Sequence, residues 1–272
     1  MTFSSGFGKL QKIPTYTFGD SRPPELVSRT LLVYPYLEES AAENMATDLW
    51  CFFEHSRSML PAFRNYGWNS SCATFGFGQS YEWVSAETCL PDEKLCRRPT
   101  GGGIVEHGKD WTYSLVIPAT FLNPRQTIAQ LYQQVHGEMS AAFIASGVET
   151  KLLVCSGNQA SSKSRRAIPG KCFLEPVPKD VVLAADGKKI AGAAIKKTRA
   201  GILFQGTVDR LGLPEGMDWV RFQDHFLSGI ADSIESGLQH ASWPAELESS
   251  RRSYFRKFAS DDWLRHRRSI PS

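Results

Sequence analysis

Residues 97–115 read RRPTGGGIVEHGKDWTYSL, in which two arginines, a proline and three glycines come directly before an apolar run. Residues 101–103 have no Cβ, so a ligand or another backbone can approach their amides closely. A tight turn into a strand uses glycine for the same reason, and a lone Gly-Gly-Gly favours that structural role. Arg98 and His107, which flank this one, favour a loop that binds a ligand.

The composition around this stretch limits the function classes. The chain has 272 residues, of which 42% are hydrophobic, enough for one large core. Lys and Arg total 31 against 28 Asp and Glu, and this small, scattered excess argues against nucleic acid or an anionic membrane as the main partner. The first 30 residues contain no continuous apolar run, so we expect a cytoplasmic protein with a loosely ordered N-terminal extension over residues 1–30.

The cysteines show no C-x-x-C pair and no histidine at metal-ligand spacing. This pattern predicts free thiols in a reducing compartment and no metal site. Each thiol is then a candidate either for core packing or for chemistry.

Hydrophobic periodicity predicts an α+β fold with a mixed or antiparallel sheet and helices collected on one side. A capping box at Ser40 and Glu43 predicts a helix over about 41–56. Further predicted elements are strands at 72–79 and 101–118, the second bent into a hairpin at Gly108, a helix capped at Asn123-Pro124 and ended by Gly147, strands on both sides of Asp186-Gly187, a strand in AGILFQGTV, a helix over 219–234, and a last helix from near Pro244 to Phe258.

Several motifs in one order resemble the lipoate and biotin protein ligases and the related octanoyltransferases. They are Asn44-Met45-Ala46 with Asp48, Trp68 with Gly76, Gly78 and Gln79, the signature loop Arg97-Arg98-Pro99-Thr100-Gly101-Gly102-Gly103 with His107, Lys189-Ile190-Ala191-Gly192-Ala193-Ala194, Gln205-Gly206-Thr207, and Lys257-Phe258-Ala259-Ser260-Asp261 with Trp263. The resemblance implies a catalytic domain over residues 31–268 with a fold like that of class II aminoacyl-tRNA synthetases. It also implies transfer of an octanoyl or lipoyl group to a lysine of a lipoyl carrier domain.

The resemblance also implies the residues of the acyl and donor site. These are Arg98, Thr100, Gly101, Gly102, Gly103, His107, Gly192, Ala193 and Gly206. Among them His107 has two open roles, in chemistry or in support of the signature loop. Lys189 begins a run of small residues that can wall an acyl channel, where a lysine can hold a carbonyl oxygen or act as a base.

Lys171-Cys172-Phe173-Leu174-Glu175-Pro176 resembles the C-F-x-x-P segment of the octanoyltransferases that look like lipoate ligases, in which the cysteine forms an acyl enzyme. Lys171 and the upstream Arg165 and Arg166 would place this thiol in a positive field, which stabilises a thiolate. We therefore predict Cys172 as the nucleophile and Lys189 as its catalytic partner. The triple glycine, Ala193-Ala194-Ile195 and Gln205 depart from the pattern of that group.

Three functions are compatible with these residues. The favoured one is transfer from acyl carrier protein through a cysteine thioester to a lipoyl domain, such as that of a 2-oxoacid dehydrogenase E2 component or the glycine cleavage H protein, with no cofactor. The second is an ATP-dependent lipoate ligase that uses ATP and Mg²⁺. The third is a non-catalytic protein that binds acyl groups or carriers. In the first case the basic loop 163–166 would suit acidic carrier surfaces.

Overall fold

The computed structural model describes residues 29–154, 170, 172–173 and 177–268. Most of the predicted N-terminal extension, the basic loop 163–166 and Lys171 lie outside the described residues. The strands are β1 Thr30–Val33, β2 Leu37–Glu39, β3 Ala62–Trp68, β4 Cys72–Phe75, β5 Leu95–Arg97, β6 Val105–His107, β7 Trp111–Pro118, β8 Thr150–Leu152, β9 Val181–Leu183, β10 Lys189–Lys197, β11 Gly201–Val208 and β12 Gly237–His240. The helices are α1 Ala41–Ser58, α2 Tyr81–Thr88, α3 Ile128–Ala145, α4 Trp219–Ser233, α5 Leu247–Phe258 and α6 Asp261–His266.

The strands form a large mixed sheet and a small one. The large sheet has the order β12-β1-β3-β7-β11-β10-β9-β8, with β2 added beside β3. Strands β12, β1 and β3 run parallel to one another, and β2 is parallel to β3. From β3 onward, through β7, β11, β10 and β9 to β8, each pair of neighbours is antiparallel. The small sheet has the order β5-β4-β6. The predicted α+β class and mixed sheet are confirmed.

The helices cover both faces of the large sheet, which corrects the expectation that they collect on one side. Alternate residues of β7 point to opposite faces, as the strand period requires. Tyr113 and Leu115 join the core beneath α3 and α4. Val116 faces the other way and packs with α1 and α5. Two apolar cores therefore lie back to back across one sheet.

Local capping explains where the helices begin. Ser40 and Glu43 make the predicted capping box of α1. Helix α3 begins later than the Asn123-Pro124 signal predicted, because Thr127 and Gln130 form its capping box. The Asn123 side chain accepts a hydrogen bond from the Arg125 amide, so it caps the preceding turn instead. Gly147, with a φ of +85°, follows the helix as predicted.

The hairpin predicted at Gly108 is wrong. The turn is present, but β6 pairs with β4 of the small sheet, while β7 pairs with β3 and β11 of the large sheet. Residues 108–110 therefore connect the two sheets. This connection places the glycines between β5 and β6 next to the large sheet, where β10 and β11 run.

Candidate active site

A cysteine and a lysine 17 residues apart in sequence meet beside the glycine loop. Lys189 Nζ lies 3.3 Å from Cys172 Sγ and donates a hydrogen bond of 2.7 Å to the Cys172 carbonyl oxygen. Lys189 is buried and Cys172 is partly buried. The structure thus brings together the two residues that the sequence predicts as nucleophile and catalytic partner.

The backbone after the glycines holds the segment that carries Cys172. The Ile104 amide donates to the Gly170 carbonyl at 2.8 Å, and the Cys172 amide donates to the Ile104 carbonyl at 2.9 Å. A Cβ on Gly103 would lie 2.5 Å from the Gly170 carbonyl oxygen. At Gly103 the group that approaches the bare backbone is therefore another part of the same chain.

The other two glycines of the loop differ from Gly103. Gly102 has a φ of +87°, a conformation that residues with a Cβ rarely adopt. Gly101 is exposed, and a Cβ added there would meet nothing within 4 Å. Gly101 therefore has room for a ligand to approach, and Gly102 lines a cavity next to Cys172.

The position of the Lys189 side chain depends on Gly192. The pairing of β10 with β9 shifts in register between Lys189 and Ala191. A Cβ on Gly192 would lie 2.8 Å from both Cε and Nζ of Lys189. The lysine chain therefore passes over the glycine, which gives a physical reason for the spacing between these two residues.

Arg98 and His107 belong to one chain of hydrogen bonds. Arg98 Nη2 donates to the carbonyls of Gly101 at 2.9 Å and Gly103 at 2.8 Å, and its Nη1 donates to Thr74 Oγ1 at 2.8 Å. Thr74 Oγ1 lies 2.7 Å from Nε2 of His107. Arg98 thus holds the shape of the loop, and His107 supports it through Thr74.

Asp110 completes this chain from the other side of the imidazole. Its Oδ2 lies 2.7 Å from His107 Nδ1. Burial opposes ionisation of Asp110, but His107 and hydrogen bonds from His107, Thr112 and the Gly108 amide outweigh it and hold the pKa of Asp110 below its usual value. The carboxylate fixes the Nδ1–H orientation of the ring, and Trp68 stacks on it at 3.8 Å between centroids. The sequence left two roles open for His107, in chemistry or in support of the signature loop. This geometry favours support of the loop.

Gln205 links the signature loop to α1. Its Oε1 accepts a hydrogen bond of 2.7 Å from Thr100 Oγ1. Its Nε2 donates to Asp48 Oδ2 at 2.6 Å. Asp48 also binds Arg64 and the Tyr66 hydroxyl. Thr100 therefore lies inside a buried polar network, and its hydroxyl is engaged within it.

A small cavity that is partly open to solvent lies next to Cys172. It is lined by Met45, Tyr66, Trp68, Thr74, Arg98, Gly102, Val105, His107, Thr112, Cys172, Gly192, Ala193, Ala194, Gln205, Gly206 and Thr207. Seven predicted site residues thus share one cavity. Thr100, Gly101, Gly103 and Lys189 surround it without forming its wall. Gly206 packs against the Tyr113 ring, because a Cβ added to Gly206 would lie 2.2 Å from Cε1 of Tyr113.

Sequence reasoning assigned no role to Asp180 or Tyr132, although Asp180 contacts Lys189 and Tyr132 contacts Asp180. Asp180 Oδ2 lies 2.8 Å from Lys189 Nζ, and Asp180 Oδ1 accepts a hydrogen bond of 2.6 Å from the Tyr132 hydroxyl. Tyr132 OH also accepts from the Ala193 amide at 3.2 Å. One signal was available, since a carboxylate directly precedes the apolar strand Val181–Leu183.

The other described cysteines differ from Cys172 in their surroundings. Burial raises the pKa of the Cys51, Cys72 and Cys96 thiols to about 12 in each case. Cys89 is exposed at the end of α2. Cys155 lies outside the described residues. Among the described cysteines, Cys172 is the one that lines the cavity and contacts a buried lysine.

The family model for the lipoyl protein ligase A/B catalytic domain matches residues 40–210, more than half of the chain. The chain belongs to this family. The match includes the glycine loop, Cys172, Lys189 and Gln205. The predicted resemblance is therefore confirmed.

The chain is similar to several proteins named octanoyltransferase LipM. The chain is 28% identical to the Staphylococcus epidermidis protein over 189 residues, which is 68% of this chain and 67% of that protein. It is 25% identical to the Kyrpidia tusciae protein in an alignment of 267 positions, which covers 82% of this chain and 94% of that protein. The match spans 61% of the length of the Bacillus cereus protein.

Solved structures share the fold. A bipartite lipoate protein ligase from Thermoplasma acidophilum, determined as part of a lipoylation system with its E2 lipoyl domain, aligns with a TM-score of 0.65 at 14% identity, covering 90% of this chain and 98% of that one. A putative lipoate protein ligase from the same organism with bound lipoic acid aligns with a TM-score of 0.63 at 17% identity, covering 87% and 98%. At these identities the likeness concerns the fold, and it confirms the predicted one.

None of the helices in the described part of the chain is long and apolar enough to span a membrane. Residues 29–154, 170, 172–173 and 177–268 likewise contain no group of three or more His, Cys, Asp or Glu side chains arranged to hold a metal ion.

Proposed function

We propose that this protein is an octanoyltransferase that moves an octanoyl group from acyl carrier protein to a lysine of a lipoyl domain through a thioester on Cys172. The observation that carries the proposal is the 3.3 Å contact between Cys172 Sγ and Lys189 Nζ at the edge of a cavity. A nucleophilic side chain is needed when the acyl group arrives as a thioester, and the relatives are named for octanoyl transfer.

In the first half-reaction the Cys172 thiolate adds to the carbonyl carbon of the octanoyl thioester. The Lys189 ammonium and amides of the glycine loop stabilise the oxyanion. Collapse of the intermediate breaks the bond to the carrier sulfur, which leaves as a thiol after taking up a proton. The octanoyl group then remains on Cys172 as a new thioester.

In the second half-reaction the lysine amine of the lipoyl domain adds to this thioester. A C–N bond forms, the bond between carbon and Cys172 sulfur breaks, and the proton lost by the amine restores the thiol. The acceptor in this proposal is a lipoyl domain of a 2-oxoacid dehydrogenase E2 component or the glycine cleavage H protein. The free thiols of the described cysteines suit a reducing compartment, so we place the reaction in the cytoplasm.

The side chains of Met45, Val105, Ala193 and Ala194 give the cavity next to Cys172 an apolar part of its wall. A linear hydrocarbon chain gains free energy from burial against such a wall, by about 0.8 kcal/mol for each buried CH₂ group. A hydrocarbon chain without polar groups needs no hydrogen-bond partner in such a wall. The cavity therefore supports a medium-chain acyl group as the substrate.

Intact-protein mass spectrometry tests the proposal. Incubation with octanoyl acyl carrier protein is expected to add one octanoyl group, removable by neutral hydroxylamine and absent from the Cys172→Ser variant. Addition of a lipoyl domain is expected to discharge the adduct onto that domain without ATP. Transfer that requires ATP and Mg²⁺ and persists in Cys172→Ser would instead establish a lipoate ligase. Binding of the lipoyl domain without transfer by either route would establish a non-catalytic protein.

A further inference from the structure

The buried carboxylate of Asp180 contacts Lys189, and the two half-reactions assign it no role. Asp180 is completely buried, with 0% of its surface exposed. Its Oδ2 accepts from the Val177 amide at 2.8 Å and lies 2.8 Å from Lys189 Nζ. Its Oδ1 accepts from the Tyr132 hydroxyl. Both carboxylate oxygens are therefore engaged, and the carboxylate cannot rotate without losing several hydrogen bonds.

The turn that carries Asp180 is strained and held in place by α3. Lys179 has a φ of +75°, which is unfavourable for a residue with a Cβ. Its amide donates to the Leu153 carbonyl at 2.9 Å, and its carbonyl accepts from Nδ1 of the buried His136 at 2.7 Å. Because a carbonyl oxygen only accepts, His136 carries its proton on Nδ1. Helix α3 thus fixes the turn through His136 and the carboxylate through Tyr132.

The contacts of Lys189 Nζ have the number of acceptors that an ammonium can satisfy. Three acceptors surround the nitrogen, namely the Cys172 carbonyl oxygen, the Cys172 sulfur and Asp180 Oδ2. An ammonium has three hydrogens to donate, whereas a neutral amine has two. The site is therefore built for an ammonium with one hydrogen directed at the sulfur.

We propose that Asp180 is the positioning residue of the catalytic pair, which holds the Lys189 ammonium against the Cys172 sulfur from a turn fixed by α3. The inference deepens the proposed octanoyl transfer and rests on it. Lys189 then serves as a fixed cation that stabilises the thiolate and the oxyanion, so it does not act as the base of the first half-reaction. Arg98 is a second cation within electrostatic reach of the thiol, but its guanidinium binds the loop carbonyls.

A double-mutant cycle on Cys172 alkylation tests the positioning role without any acyl donor. Peptide mass spectrometry measures the rate at which iodoacetamide modifies Cys172 between pH 5 and 10. The four proteins compared are the unaltered protein, Asp180→Asn, Lys189→Met and the double variant. Asp180→Asn is expected to slow alkylation at pH 7 about tenfold and to move the profile to higher pH. The same change in the Lys189→Met background is expected to alter the rate by less than about twofold.

A carboxylate that acted only as a nearby negative charge would give the opposite sign, because its removal would speed alkylation in both backgrounds. That result, or equal slowing in both backgrounds, would overturn the proposal. Tyr132→Phe is the matched control, since it removes the hydrogen bonds of the hydroxyl with Asp180 Oδ1 and the Ala193 amide and leaves the contact between Asp180 and Lys189. It is expected to slow alkylation less than Asp180→Asn.

Single-turnover acylation by octanoyl acyl carrier protein separates this inference from the proposed function. The expected result is that Asp180→Asn lowers the acylation rate while half-saturation by the carrier is unchanged. If the alkylation cycle behaves as expected and no acyl adduct forms in the unaltered protein, the positioning role stands and the octanoyl transfer fails. If Asp180→Asn unfolds below the assay temperature, Asp180→Glu replaces it, because this change keeps the charge but displaces it. Asp180→Glu must then slow alkylation when Lys189 is present and have little effect in the Lys189→Met background.

Discussion

The Lys189 side chain crosses the backbone of Gly192 so closely that a Cβ there would lie 2.8 Å from the lysine nitrogen. Asp180 Oδ1 would be 3.1 Å from the same Cβ. Since the end of a lysine side chain is flexible, the ammonium would move before the backbone did. Gly192 therefore determines where the charge of Lys189 is held relative to Cys172.

We predict that Gly192→Ala lowers the rate of Cys172 acylation by at least about tenfold with a loss of stability below roughly 2 kcal/mol. Single-turnover kinetics and denaturant unfolding give the two quantities. Gly137→Ala is the matched control, because nothing lies within 4 Å of a Cβ at this helical position and alanine favours the helix by about 1 kcal/mol. An unchanged acylation rate in Gly192→Ala would show that the lysine tolerates displacement.

The three glycines of the loop are expected to respond differently to alanine. Gly101→Ala should change the free energy of unfolding by less than about 0.5 kcal/mol, because its Cβ meets open space. Gly102→Ala should cost roughly 1–2 kcal/mol for its left-handed backbone. Gly103→Ala should cost roughly 1–3 kcal/mol, because the Cβ would force Gly170 and Cys172 away.

Urea unfolding of the three variants measures these costs, and acylation shows their functional effect. Gly103→Ala should lose acylation by octanoyl acyl carrier protein, whereas a loss in Gly101→Ala without a change in stability would place the donor against that residue. Equal stability costs at all three positions would contradict the distinct environments described above.

Thiol reactivity should divide the described cysteines into two groups. Cys172 and the exposed Cys89 are expected to react with N-ethylmaleimide in the native protein at pH 7. Cys51, Cys72 and Cys96 should react only after unfolding in guanidinium chloride, because burial raises the pKa of each to about 12. Peptide mass spectrometry locates the adducts. Native labelling of Cys96 at the rate of Cys89 would contradict its burial.

The sequence predicted the elements whose signals are local. The capping box at Ser40, the Asp186-Gly187 turn and the stripe of α4 each depend on residues close in the chain, and the elements lie where expected. The error at Gly108 has a different origin. A turn signal shows that the chain reverses but not which strands it joins, and here long-range pairing assigned β6 and β7 to different sheets.

The candidate site shows the same division. Cys172 and Lys189 belong to motifs that sequence reading can recognise, and their proximity agrees with that reading. Asp180 and His136 act through contacts between α3 and a turn that are 43 or more residues apart. Arg98 had the sequence features of a ligand-binding cation, yet most of its hydrogen bonds go to the loop that carries it. Packing determines which hydrogen-bond partner a buried polar side chain contacts.

Acid should destabilise the protein through its buried histidines. Burial lowers the pKa of His55 and His136 to about 4, below the value of about 6.5 expected in the unfolded chain. Between these values the unfolded state binds a proton that the folded state does not. The contribution to stability is therefore fully present above about pH 6.5 and is lost as the pH falls toward 4, at up to about 1.4 kcal/mol per pH unit for each histidine.

The His136→Asn variant isolates one of these two contributions. The asparagine amide can still donate to the Lys179 carbonyl, but it does not titrate. The slope of unfolding free energy against pH between 6.5 and 4.5, measured by urea denaturation, should fall by up to about 1.4 kcal/mol per pH unit. The exposed His225→Gln serves as control and should leave the slope unchanged. Equal slopes for His136→Asn and the unaltered protein would contradict the lowered pKa of His136.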